Sequence, residues 1–272
     1  MTIHRPRLVS GIAVGILIAI LFLAPVLYAV MLSFESPVHF LNSPMTLGKP
    51  DLGNFSAAWS QADLGPELLR TILYAVVAAL GSTALGLLIA FPVARRLVRG
   101  HAALYTFLFV GVFLPLSIIP LYAEARSMGL YNNTIGYIIL HVEPGMPLAV
   151  LLLVASIAVL PGEFDEVAWM EGASYLSYLW RVIVPMVRPA LLIAFLYALL
   201  GVWNDIIGPV ALLSSASLYP VTEGVFTFYG SNSSEWTLLA AAVVIVSLPV
   251  VALFVACQRQ LNLASLTGSV KG

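Results

Sequence analysis

The sequence predicts an all-α polytopic membrane protein with six transmembrane helices. Of its 272 residues, 61% are hydrophobic and only 9% are charged, whereas a soluble domain is roughly 45–50% apolar and about 25% charged. The mean hydropathy is +1.00, and the hydrophobic residues form long runs separated by short charged segments. This composition excludes a soluble globular enzyme, because too few charged side chains are present to cover its surface.

Six apolar runs are long enough to cross a bilayer, which requires ~20 mostly apolar residues. Four of them contain no Asp, Glu, Lys or Arg: residues 8–34, 71–94, 102–123 and 236–258. The other two are residues 135–160, which include His141 and Glu143, and residues 190–212, which include Asp205. The first run is longer than the roughly 7 to 15 apolar residues of a signal peptide, so we expect it to be retained as a helix.

The distribution of basic residues predicts the orientation, because Lys and Arg in short loops stay on the cytoplasmic side. A cytoplasmic N-terminus places most of the 12 Lys and Arg residues on that side: Arg5, Arg7, Arg95, Arg96, Arg99, Arg181, Arg188, Arg259 and Lys271. Only Lys49, Arg70 and Arg126 are then external. Both termini are therefore predicted to be cytoplasmic.

We expect residues 1–272 to form a single transmembrane domain with three larger loops. Residues 35–67 and 213–235 form external loops, and residues 161–189 form a cytoplasmic loop. The prolines of the first external loop rule out one long helix there. Within the second span, small residues at a spacing of four predict close helix packing: Ala78, Ser82 and Gly86. Gly11 and Gly15 form a similar pair in the first span.

The cytoplasmic loop has the pattern of two short helices joined by a bend. Three acidic residues begin the first helix and complement the positive end of its dipole: Glu163, Asp165 and Glu166. Gly172 predicts the bend, because glycine inside a helix costs about 1 kcal/mol relative to alanine. The second helix is predicted from Ser174 to Pro185, where proline ends it. Four aromatic residues are available for contacts: Trp169, Tyr175, Tyr178 and Trp180.

The spacing of residues in this loop is specific. It reads Glu166-Val167-Ala168, three residues, Gly172, nine residues, Val182, one residue, Val184 and Pro185. This resembles the E-A-A-x3-G-x9-I-x-L-P loop of binding-protein-dependent ABC importer permeases at every motif position. The departures are conservative: Val167, Glu171, Val182 and Val184 replace Ala, Asp, Ile and Leu.

Two further segments resemble the maltose-type sugar permease subfamily. One is Trp203-Asn204-Asp205, and the other is the final L-T-G-S-V-K-G of residues 266–272, which is one residue shorter than the usual L-T-x-G-A-V-K-G. The resemblance covers essentially the whole chain. It implies the ABC importer type I permease fold.

The resemblance also implies partners and a role for the cytoplasmic loop. The chain would be one of two permease subunits that form the path of a sugar or sugar-like solute through a bacterial or archaeal cell membrane. A dimer of ABC ATPase subunits would drive it, and an extracytoplasmic binding protein would deliver the solute. The loop would act as a coupling helix in a cleft of the ATPase, through Glu166, Ala168, Glu171, Gly172, Ala173 and Pro185. The alternative is a loop that only caps the helix bundle.

The sequence contains no motif for catalysis or cofactor binding. Because G-x-x-x-x-G-K-[ST] is missing, ATP and Mg are expected in the partner ATPase and no cofactor in this chain. No G-x-S-x-G, H-E-x-x-H or C-x-x-C occurs, which argues against a protease or redox enzyme. One Cys and four scattered His predict no metal site, and a net charge of -1 gives no basic face for nucleic acid. A self-sufficient ion-coupled transporter is the competing hypothesis, although the paired broken helices typical of that class are not visible.

Charged residues inside spans are candidate solute contacts, because they are costly in lipid and normally face a cavity or the bundle interior. Asp205 is able to hydrogen-bond a polyol while Trp203 stacks on its apolar face and Asn204 lies beside them. Equally, Asn204 and Asp205 are able to satisfy backbone groups of neighbouring helices. For Glu143 the structural interpretation is favoured, since two nearby prolines free backbone carbonyls that polar groups repair.

The second external loop has a role implied by the resemblance. In maltose-type permeases the loop before the last span reaches into the docked binding protein. Three aromatic residues suit such an insertion: Phe226, Phe228 and Tyr229. The resemblance does not separate disaccharides, amino sugars, polyols and glycerophosphodiesters as solutes.

Overall fold

A computed structural model describes residues 5–44, 46, 48–114, 117–229 and 235–268, with the backbone alone at 5–13, 259 and 261–268. The regular elements of this part of the chain are all helices, which confirms the all-α prediction. The glycine pair that includes Gly11 and the final residues of the tail motif, 269–272, lie outside the described residues or side chains.

The helices follow one another in the chain with short connections. They are α1 (Arg5–Ser33), α2 (Pro37–Asn42), α3 (Gly53–Gln61), α4 (Leu64–Ala94), α5 (His101–Phe113), α6 (Ile118–Ser127), α7 (Thr134–Ala158), α8 (Glu163–Met170), α9 (Tyr175–Tyr178), a π-helical turn (Leu179–Ile183), α10 (Val184–Met186), α11 (Arg188–Trp203), α12 (Ile207–Leu212), a 3-10 turn (Ala216–Leu218), α13 (Val221–Phe226) and α14 (Trp236–Gly268). The chain divides into two compact units. Unit 1 is Met1–Pro66 with Gly224–Ala252, and unit 2 is Glu67–Glu223 with Leu253–Gly272.

Among the described residues, four helices are long and apolar enough to cross a membrane: Val14–Ser33, Leu64–Ala94, Thr134–Ala158 and Trp236–Gln258. Two bent helix pairs reach the same length and apolar character when each is taken as one span: α5 with α6, and α9–α10 with α11. The described residues therefore contain between four and six candidate membrane spans, and the prediction of a multi-pass membrane protein is confirmed.

Two of the predicted spans are interrupted. Residues 102–123 divide into α5 and α6, because Leu114 adopts an extended conformation with ψ 128°. The residue before a proline is disfavoured in the α region, and Pro115 follows Leu114. Residues 190–212 divide into α11 and α12. There the backbone N–H of Gly208, in the first turn of α12, donates to Oδ1 of Asp205 at 2.9 Å. The carboxylate thus accepts from an N–H that the start of the second helix leaves without a partner in its own backbone.

In unit 1, residues 35–66 form a folded segment rather than an open loop. The side-chain amide of Asn54, on α3, donates to the carbonyl oxygens of Ser33 at 3.0 Å and Glu35 at 2.8 Å. The carboxylate of Glu35 accepts from the backbone N–H of Gly48 at 3.0 Å and contacts His39 Nδ1 at 2.7 Å. These bonds fasten α2 and α3 to the end of α1, which confirms that residues 35–67 do not form one long helix.

In unit 2, small residues bring α4, α7 and α11 close together. A Cβ atom added to Gly86 on α4 would lie 2.7 Å from Cβ of Ala149 on α7. One added to Gly145 on α7 would lie 2.8 Å from Oγ of Ser82 and 2.9 Å from Cβ of Ala198 on α11. The hydroxyl of Ser82 also donates to the Val142 carbonyl at 2.6 Å. The small-residue pattern therefore marks a helix contact, as predicted.

Candidate functional sites

The first helix of the loop at residues 161–189, α8, ends in a tight glycine turn. Gly172 has φ +69°, a left-handed conformation that only glycine adopts at little cost. The N–H of Gly172 donates to the Trp169 carbonyl at 3.1 Å, and that of Ala173 to the Ala168 carbonyl at 3.0 Å. These are the two bonds of a Schellman cap. The predicted bend at Gly172 is confirmed, and Ala168 and Ala173 form the hydrogen bond that closes it.

The second half of the loop differs from the prediction. It begins as expected with Ser174, whose Oγ accepts from the backbone N–H of Ser177. The helix does not end at Pro185, however, because it passes through a π-helical turn and ends at Met186. Pro185 lacks an N–H and its ring crowds the carbonyl four residues earlier, and the wider π turn relieves that crowding. An 87° bend then leads into α11.

The loop presents an exposed surface of mixed apolar and acidic character. Its outward-facing residues are Glu163, Phe164, Glu166, Val167, Trp169, Met170 and Glu171. Met170 is 87% exposed. Tyr175 and Tyr178 turn the other way, with ring centroids 5.4 and 5.7 Å from that of Phe91 on α4. Of the four aromatic residues expected to make external contacts, Trp169 and Trp180 are therefore exposed and the two tyrosines pack inside.

An ion pair that the sequence did not reveal anchors this loop. Arg95 Nε lies 2.8 Å from Oδ2 of Asp165, and both side chains are mostly buried. The other oxygen of Asp165 accepts from the Tyr178 hydroxyl, and Arg95 also donates to the Leu160 carbonyl at 2.9 Å. One guanidinium therefore joins the end of α4, the end of α7 and both arms of the loop. Asp165 is 70 residues from Arg95 in the sequence, and no local pattern indicates such a pair.

The second candidate site is a cavity of about 530 Å³ within unit 2. It lies between α7, α11 and α12, and its polar lining includes His141, Asn204 and Asp205. Trp203 does not line it and is only 7% exposed. Glu143 points elsewhere, since it is exposed and absent from the lining.

Asp205 is the centre of a hydrogen-bond network at this cavity. Its Oδ2 lies 2.7 Å from Nε2 of His141 and 3.2 Å from the donating hydroxyl of Tyr137. The other ring nitrogen of His141, Nδ1, lies 2.7 Å from the Tyr137 carbonyl. Because a carbonyl oxygen only accepts, Nδ1 carries a hydrogen, and the contact between Nε2 and the carboxylate requires either a doubly protonated imidazole or a shared proton. Either arrangement leaves the side chains of His141 and Asp205 together without net charge. Asn204 is not part of this network, because it is exposed and donates to the Leu200 carbonyl.

The segment after this cavity brings a second carboxyl group close to Asp205. The hydroxyl of Thr222 donates to the backbone carbonyl of Asp205 at 3.1 Å. Burial, and then the charge of Asp205, raise the pKa of the neighbouring Glu223 above its ordinary value. Further along the chain, Phe226 and Tyr229 are exposed, whereas Phe228 is only 3% exposed.

Comparison with known proteins identifies the family. No family model matches the chain. It is 30% identical over 222 residues to the melibiose/raffinose/stachyose import permease protein MelC of Bacillus subtilis, covering 80% of this chain and 80% of that protein. The chain belongs to the ABC importer permease family. The permease is also 29% identical over 256 residues to the diacetylchitobiose uptake system permease protein NgcG of Streptomyces coelicolor, covering 92% of this chain and 84% of NgcG.

Solved structures show the same fold. The permease matches a bacterial ABC transporter involved in the import of the acidic polysaccharide alginate with a TM-score of 0.82 at 20% identity, over 95% of this chain and 99% of that one. A second match has a TM-score of 0.64 at 14% identity and covers 94% of this chain and 96% of that one. That structure is the alginate transporter in complex with an alginate pentasaccharide-bound periplasmic protein. The predicted ABC importer permease fold is confirmed.

Proposed function

We propose that this permease imports a sugar or sugar-like solute as one subunit of a heteromeric complex. The partners are a second permease, a dimer of ABC ATPase subunits that bind ATP and Mg, and an extracytoplasmic solute-binding protein. The observation that carries this proposal is the anchored helix-bend-helix loop, because it combines the coupling motif with a rigid connection to two membrane helices. Relatives named for the uptake of oligosaccharides support the choice of a sugar.

The proposed topology has six spans and cytoplasmic termini. The pair α5 and α6 counts as one span and α11 with α12 as another, so that residues 161–189 face the cytoplasm and residues 35–67 and 213–235 face outward. The excess of basic residues in the short loops on one side supports this orientation. The whole chain, residues 1–272, then acts as one permease domain with these three loops.

In the proposed mechanism, the ATPase moves the loop and the loop moves the spans. Glu166 and Glu171 are exposed and available to basic groups of the ATPase, and Trp169 and Met170 supply apolar contacts. Gly172, Ala168 and Ala173 hold the bend, while Pro185 sets the π turn. Because Arg95 ties the loop to α4 and α7, a displacement of α8 is transmitted as a rigid-body movement rather than absorbed by the loop.

The cavity between α7, α11 and α12 is the proposed part of the translocation path that this subunit provides. Asn204 and Asp205 line it. The pair of His141 and Asp205, which together carry no net charge, suits an uncharged polyol better than an ion. Trp203 contributes by packing behind the cavity, since its buried ring offers no open face for stacking. The competing ion-coupled transporter is not favoured, because the family assignment is to ABC importer permeases.

For the external loop we propose contact with the binding protein through the exposed side chains of Phe226 and Tyr229. Phe228 is buried and supports the loop from within. One buried and two exposed aromatic side chains are what we expect of a loop that is already folded before the binding protein docks.

A charge reversal on α8 tests the proposal. Glu166→Arg should abolish solute-stimulated ATP hydrolysis in the reconstituted complex while the protein still inserts in the membrane. Glu163→Arg is the matched control, because Glu163 is equally exposed on the same helix but lies outside the motif. Equal activity of the two variants, or gradient-driven uptake by the purified chain alone, would exclude the proposed coupling.

A further inference from the structure

A second cavity of unit 2 lies beside the coupling segment and has no role in the proposed transport path. Its volume is about 350 Å³. The walls are mainly apolar and come mostly from α4 and α11: Leu80, Ala84, Leu87, Leu191, Leu192 and Phe195, with Thr83 as the polar exception. Its rim carries Arg188, Trp180 and Gln260.

Arg188 provides an unmatched positive charge at this rim. It is the first residue of α11 and is exposed. No acidic side chain lines the cavity, and within the described part of the chain Arg188 makes no ion pair. The N-terminus of the 16-residue α11 adds the positive end of its dipole at the same place. An anion is therefore the complementary occupant of the rim.

The shape of the cavity indicates what is attached to that anion. From Arg188 to Phe195 the cavity follows α11 for seven residues, which is about 10 Å of helix. Its apolar wall is suited to a hydrocarbon chain, and Trp180 is at the rim, where tryptophan prefers the boundary between headgroups and hydrocarbon. A small soluble anion would leave this apolar volume unfilled.

We propose that this cavity binds one anionic phospholipid of the cytoplasmic leaflet, with its phosphate on Arg188 and an acyl chain along α11. The leaflet assignment rests on the proposed topology. An anionic lipid is favoured over a zwitterionic one, because no carboxylate at the rim is present to hold a headgroup amine. Since Trp180 and Val184 of the π turn and α10 also line the cavity, the bound lipid contacts the segment that couples the loop to α11.

Native mass spectrometry of the full-length permease in detergent tests this site directly. Phosphatidylglycerol is the probe, and phosphatidylcholine with the same acyl chains is the reference. Arg188→Gln should weaken phosphatidylglycerol binding about fivefold, since a basic side chain at the surface contributes about 1 kcal/mol, and should leave phosphatidylcholine binding unchanged. The control is Arg181→Gln, which removes an exposed arginine of the same segment that does not line the cavity.

A second pair of variants tests the acyl-chain portion without touching the charge. Ala84→Phe fills the cavity and should abolish the selective binding, whereas Leu85→Phe, on the exposed neighbouring position of α4, should not. Circular dichroism and size-exclusion chromatography establish that each variant is folded. The proposal is overturned if phosphatidylglycerol binds no better than phosphatidylcholine, if Arg188→Gln equals Arg181→Gln, or if the assembled transporter carries no lipid because another subunit covers the cavity. None of these results depends on whether the solute is a sugar.

Discussion

The replacement of Gly172 by alanine separates the bend of the loop at residues 161–189 from its surface chemistry. Gly172 has φ +69°, and a Cβ atom added there meets no other atom within 4 Å. The only cost is therefore backbone strain of about 1–2 kcal/mol for a left-handed alanine. The lower entropy of the unfolded chain returns about 0.4–1 kcal/mol. The net loss is about 1 kcal/mol, which lowers the equilibrium constant between the correctly bent loop and its alternatives about fivefold.

Gly162 offers a matched control at the other end of α8. It also has open space around its Cβ position, but its φ of -70° suits any residue. Gly162→Ala should leave coupling and stability unchanged, and Gly172→Asn should be intermediate, since asparagine tolerates the left-handed region. The measurements are solute-stimulated ATP hydrolysis and uptake by the reconstituted complex, with thermal unfolding of each variant. If Gly172→Ala and Gly162→Ala behave alike, the left-handed turn has no part in coupling.

Two further predictions concern the polar networks. Asp165→Asn should lower the free energy of unfolding by about 2 kcal/mol, less than the ~3–5 kcal/mol of a fully buried pair because both partners keep some exposure. Tyr178→Phe, which removes one hydrogen bond, should lower the free energy of unfolding by about 1 kcal/mol. Chemical denaturation in detergent measures both losses, and equal losses for Asp165→Asn and Tyr178→Phe would contradict the ion-pair argument. At the cavity, Asn204→Ala should reduce uptake with unchanged thermal stability, whereas Asp205→Asn should reduce both. Normal uptake by both variants would return these residues to a purely structural role.

The membrane spans and the bend were predictable because each depends on residues close together in the chain. A span follows from the length of an apolar run, and the turn at Gly172 follows from a conformation that one residue type favours. The break at Leu114 was equally local, since Pro115 restricts it, although the uncharged apolar run around it does not itself indicate a break. The end of the second loop helix was mispredicted for a related reason. Proline at position 185 changes the hydrogen-bond pattern to a π turn without stopping the helix.

The side-chain clusters were not predictable in the same way. His141 and Asp205 are 64 residues apart in the sequence, and Arg95 and Asp165 meet only because the ends of α4 and α7 lie beside the start of α8. The exposure of the aromatic residues was not predictable from the sequence either. Composition selected Phe228 and Tyr178 as contact residues, whereas packing buries both.

The sequence alone therefore determined that lipid surrounds most of this protein, where its long apolar runs lie and which family motif it carries, because hydrophobic length and backbone preference are local properties. The tertiary structure alone decided which charges meet, which aromatic rings remain exposed and where cavities open. These depend on the close approach of helices distant in sequence, such as α4 and α7 at Gly86 and Ala149, whose separation is set by the packing of side chains from both.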